Sequence, residues 1–119
     1  MLNFGLAMSV LAALVTPDQL RPLSEEEIAR RFSNVAVIPE AVVHDRAERF
    51  FAGGRYVVLG RPRVEGRFEV RGGRLCTALP LQDELCREIL QDEDASLYFR
   101  GSAGGRPGGF RLVPAEPQP

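Results

Sequence analysis

After Asn34 the chain breaks into short apolar-rich runs whose connections are too brief to carry a crossover. The runs are Ala41 to Phe51, Arg55 to Leu59, Arg63 to Arg71, Arg74 to Leu79, Leu85 to Gln91, Ser96 to Arg100 and Phe110 to Val113. Between them lie Gly53-Gly54, Gly60-Arg61-Pro62, Gly72-Gly73, Pro80 to Asp83, Asp92 to Asp94 and a glycine-rich stretch from Gly101 to Gly109. A parallel crossover needs a dozen or more residues, so consecutive strands must run antiparallel. The spacing therefore predicts a mostly β, α+β domain: a meander of about six or seven strands, curved or half-barrel-like.

The clearest strand is Arg63-Val64-Glu65-Gly66-Arg67-Phe68-Glu69-Val70-Arg71. Val64, Phe68 and Val70 share one face, and the charged residues share the other, as a half-buried strand requires. Gly66 falls on the inner face, which predicts a bend or a close backbone approach there. The aromatics Phe50, Phe51, Tyr56 and Phe68 read as core side chains.

One helix precedes the strands. In Leu23-Ser24-Glu25-Glu26-Glu27-Ile28, Ser24 is placed as N-cap and Glu27 as N3, a capping box. Leu23 and Ile28 take the hydrophobic-staple positions. Three glutamates occupy the positive end of the dipole, Arg30 and Arg31 the other end, and Asn34 suits a left-handed stop. The helix should span about ten residues.

The chain has 119 residues, enough for one domain and one core. Met1 to Val15 carries no charged side chain and is too short to span a bilayer as a helix. Residues 1–16 read as a signal peptide or an apolar N-terminal segment, with a mature chain starting near Thr16 to Asp18. The domain proper then covers 17–113, and the proline-rich 114–119 forms a disordered tail. On this reading the protein is periplasmic or secreted; the alternative is a cytoplasmic protein with an apolar N-terminal helix.

Cys76 and Cys86 are the only cysteines. They lie in adjacent predicted strands, Arg74 to Leu79 and Glu84 to Gln91. A hairpin symmetric about Leu81 sets them directly opposite each other, so a disulfide is predicted. The same register would oppose Arg74 to Glu88. An oxidising compartment agrees with such a bond.

Little else in the chain points to chemistry. The single histidine, His44, lies in Val43-His44-Asp45, where strand neighbours point to opposite faces. It has no nucleophile elbow, phosphate loop or metal-ligand cluster around it. No catalytic residue, metal site or cofactor is assigned, and Asp92-Glu93-Asp94 reads as a solvated turn rather than a calcium loop. All fifteen basic residues are arginine. Arg63, Arg67 and Arg71 share one strand face, a possible anion-binding face, but Glu65 and Glu69 interleave with them and halve its field. With a net charge of −1, nucleic acid is not an expected partner.

The order of pieces resembles a group of small exported bacterial β-meander proteins of unassigned function. The matching stretches are Leu23 to Ile28, Phe50 to Tyr56, Gly66 to Val70, Gly73 to Cys76 and Cys86-Arg87, within about residues 23 to 100. The resemblance implies an exported, non-catalytic envelope domain with a binding or structural role, and it carries no catalytic residues. The partner is open: an envelope protein, or a small apolar or amphipathic ligand held as in a lipocalin-like half-barrel. Polyanion binding by the arginine face is the remaining alternative.

Overall fold

In the computed structural model the described residues are 19–40, 47–101 and 104–116. The leader, the expected cleavage point, the end of the tail and His44 lie outside them. A two-residue strand β1 (Arg21–Pro22) is followed by the helix α1 (Glu25–Arg31). Eight strands follow: β2 (Val35–Pro39), β3 (Ala47–Phe51), β4 (Arg55–Leu59), β5 (Val64–Arg71), β6 (Arg74–Ala78), β7 (Leu85–Gln91), β8 (Leu97–Gly101) and β9 (Gly104–Pro114).

Every pairing is antiparallel, and the sheet closes on itself. Neighbours follow chain order from β2 to β9, and β9 then pairs with β2 over Val35–Pro39 and Phe110–Pro114. The half-barrel of six or seven strands is thus corrected to a closed eight-stranded, up-and-down barrel, with β1 added beside β7. Closure leaves β2 and β9 no free edge, which removes the usual route to edge-to-edge aggregation.

The two closing strands are where the sequence pattern is weakest. Val35–Pro39 has no polar alternation, and most of β9 is the glycine-rich stretch taken above for a loop. Gly108 and Gly109 pair with Phe99 and Tyr98, so they belong to the ladder. The Phe99 ring instead stacks on Phe110, with centroids 3.9 Å apart. A glycine opposite a large aromatic leaves the ring space to lie flat along the sheet, which local propensity does not reveal.

The helix begins as expected. Ser24 Oγ accepts from the Glu27 N–H at 3.1 Å, and Glu27 Oε1 accepts from the Ser24 N–H at 3.1 Å. It is shorter than expected, seven residues capped by Phe32, and Asn34 turns the chain at φ 56°. Leu23, Ile28 and Phe32 are buried together and stop one end of the barrel. There Phe32 meets the edge of Phe50 at 5.1 Å, and Phe50 meets Tyr56 and Phe68 at 4.9 and 5.0 Å. These rings are core, as predicted.

On β5 the exposure alternates strictly, with Val64, Gly66, Phe68 and Val70 inward. The outer face of that strand carries Glu65, Arg67, Glu69 and Arg71, the inverse of the apolar outer band of a membrane barrel. No described helix is long and apolar enough to cross a membrane.

Cys76 and Cys86 are directly opposite and disulfide-bonded on the outside of the barrel. Leu81 occupies the turn between their strands at φ 64° with its side chain fully exposed. The expected Arg74–Glu88 pair is corrected: the Glu88 carboxylate is taken by Arg100 on β8, 2.9 Å away. Each strand of a barrel has two neighbours, and Glu88 lies directly across from Arg100 on the second one. Replacing both cysteines by alanine should cost about 2–4 kcal/mol of stability without changing the fold. Thiol titration of denatured, unreduced protein made in an oxidising compartment checks the bond, and two free thiols per chain would refute it.

Candidate functional site

Charged residues are costly inside a barrel unless they are paired and hydrogen-bonded. Glu48 and Arg87 nonetheless occupy the inward phase here. Glu48 lies opposite Val37 and Val58, and Arg87 lies opposite Leu75, all positions that face the interior. Strands β3 and β7 are four apart in a ring of eight, so the two side chains meet across the lumen. Arg87 Nη2 donates to Glu48 Oε1 at 2.6 Å and Nη1 to Oε2 at 3.2 Å, a two-pronged contact. Their side chains are only 12% and 19% exposed.

Two aromatics complete the cluster. The Tyr56 hydroxyl donates to Glu48 Oε1 at 2.6 Å. Burial first, and then the neighbouring Glu48 charge, push the Tyr56 phenol well above its usual range, so it stays a neutral donor. The guanidinium of Arg87 lies over the Phe99 ring, 4.1 Å from its centroid, which favours a desolvated cation there.

This cluster floors a cavity of about 220 Å³ at the end opposite α1. Above the floor the wall is made of the apolar Val58, Leu79 and Leu85 and the polar Thr77, Gln82 and Asp83. Thr77 Oγ donates to the Leu85 carbonyl at 3.4 Å. Gln82 and Asp83 come from the β6–β7 turn, which the disulfide holds at its base.

Sequence reasoning did not single out Glu48, Tyr56 or Arg87 as a site. The signal was present: a charge two residues from Phe50 and another between Leu85 and Ile89, each on the apolar phase of its strand. Opposite charges in that phase on two strands mark a buried pair.

Arg63, Arg67 and Arg71, the proposed anion-binding face, do share the outer face of this region. Arg63 pairs with Glu65 at 3.0 Å, Arg71 is held by Glu69 and Glu84, and Arg67 donates to the Gly53 carbonyl at 3.3 Å. The Arg55 guanidinium holds the Glu65 carboxyl below the usual range, and Arg71 does the same for Glu84. Asp92 is lowered too, first by the Tyr98 hydroxyl, and it also accepts the Ser96 and Asp94 N–H groups at 2.9 Å. That closes the β7–β8 turn, the role expected of the acidic run there. For Glu27 the Ser24 N–H is the main cause of a lowered pKa.

A lowered folded-state pKa means the unfolded chain binds more protons in acid. The stability these carboxylates add is complete above about pH 5 and is lost as pH falls through the folded values. The melting temperature should therefore be flat from pH 7 to 5 and fall towards pH 3. High salt should flatten the part owed to the exposed arginine pairs, and a melting temperature constant down to pH 3 would contradict these contacts.

No protein-family model matches this chain, and neither does any curated protein or solved structure.

Proposed function

We propose that the chain is a non-catalytic binding module of an oxidising compartment, periplasmic or extracellular, that holds a small ligand at the end of its barrel opposite α1. The cavity over the Glu48–Arg87–Tyr56 floor carries this reading. A barrel that existed only as a surface for another protein would need no such cluster, because an apolar interior is as stable or more so. Retaining a desolvated ion pair beneath a cavity fits a site that orients something above it. Of the apolar and amphipathic guests expected for such a barrel, the lining favours the second. Polar and aliphatic groups share the wall, so the ligand should be small and amphipathic. The arginine face supports a polyanion less well, since carboxylates or a backbone carbonyl already occupy its three cations.

Native mass spectrometry of the full chain, purified gently from its own host, tests this. A low-mass adduct should accompany the protein and be missing from Leu85→Trp, which fills the cavity rim from an exposed position. An adduct that survives Leu85→Trp, or wild-type protein without an adduct, would count against the site.

A further inference from the structure

The charges around the cavity carry the argument one step further, resting on the reading just given. Among the described residues three charged side chains line it: Arg87, Glu48 and Asp83. The first two neutralise each other in a two-pronged contact. Asp83 remains, an exposed carboxylate on the β6–β7 turn with no ion pair among the described residues. Among the described residues the balance is therefore one negative charge. An anionic guest would have to displace Glu48 from Arg87 or sit between two carboxylates.

The hydrogen-bond inventory points the same way. Tyr56 and Thr77 spend their protons on Glu48 and on the Leu85 carbonyl; the Asp83 carboxylate remains as a charged acceptor, and the Gln82 carboxamide offers a neutral donor and acceptor beside it. The aliphatic side chains of Val58, Leu79 and Leu85 line the same cavity. At roughly 30 Å³ per water-sized group, the cavity of about 220 Å³ has room for about seven such groups.

We infer that the site takes a primary alkylammonium group on a short aliphatic chain, with the cation at Asp83 and the chain against Leu79 and Leu85. The same chemistry is offered by a free alkylamine and by a lysine side chain of a partner protein.

Hexylamine, hexanol and hexanoate are matched in length and differ in head-group charge, so titration calorimetry of the full chain with the three separates the possibilities. Hexylamine should bind at least about tenfold more tightly than hexanoate, and Asp83→Asn should remove that preference while leaving the melting temperature unchanged. Equal or tighter binding of hexanoate or hexanol overturns the cationic assignment but keeps the cavity as a binding site. Failure of all three to bind overturns both. A lysine-containing pentapeptide binding as well as hexylamine assigns the ammonium to a partner's side chain; failure of the peptide alone assigns it to a free amine.

Discussion

Glu48→Ala should be among the most damaging single substitutions in this protein, with a loss of about 3–5 kcal/mol. The cost comes mainly from what is left behind. Arg87 keeps its charge, is only 12% exposed, and loses both acceptors that face it across the lumen. Tyr56 loses the oxygen that takes its proton. The double variant Glu48→Met with Arg87→Met should recover most of the loss, because two side chains of similar volume then fill the space without an unpaired charge. Urea denaturation of both variants is the check. A single variant within about 1 kcal/mol of wild type would mean the pair is solvated and does not floor the cavity.

Gly66→Ala should be comparably harmful, by more than about 3 kcal/mol, although it adds a single methyl group. The β-carbon would overlap the Ala78 carbonyl oxygen and come within 3.1 Å of Leu79 Cδ2. The obstacle is neighbouring backbone, which cannot rotate away. Tyr56 lies directly opposite Gly66 on β4. Gly60→Ala is the control, since its β-carbon would make an ordinary 3.6 Å contact with the Pro62 carbonyl. It should stay within about 0.5 kcal/mol of wild type. Equal effects at the two glycines in thermal denaturation would refute the close approach at Gly66.

Features governed by local chemistry were legible in the sequence. The capping box of Ser24 and Glu27, the left-handed Asn34, the alternation along β5 and the facing cysteines each depend on residues close in the chain or on one hairpin register. The position of Gly66 was legible for the same reason. Closure was not, because it depends on β2 meeting β9 across nearly the whole chain, and β9 draws its ladder from glycines that advertise a loop. The Arg74–Glu88 pair failed for a related reason: opposite charges on one hairpin satisfy each other only if the next strand offers nothing better, and β8 offers Arg100. The floor of the cavity was missed because charges are ordinarily read as solvent-facing. Reading the strand phase first would have placed Glu48 and Arg87 inside.

The account stands on the barrel end opposite α1 being a ligand site. Its most direct test is backbone amide shift mapping of the isotopically labelled full chain, titrated with the small-molecule fraction of its host. The account predicts shifts concentrated at Glu48, Tyr56, Thr77, Leu79 and Gln82 to Arg87, all lost in Leu85→Trp. Shifts confined to Arg63, Arg67 and Arg71, or no shifts at all, would contradict it.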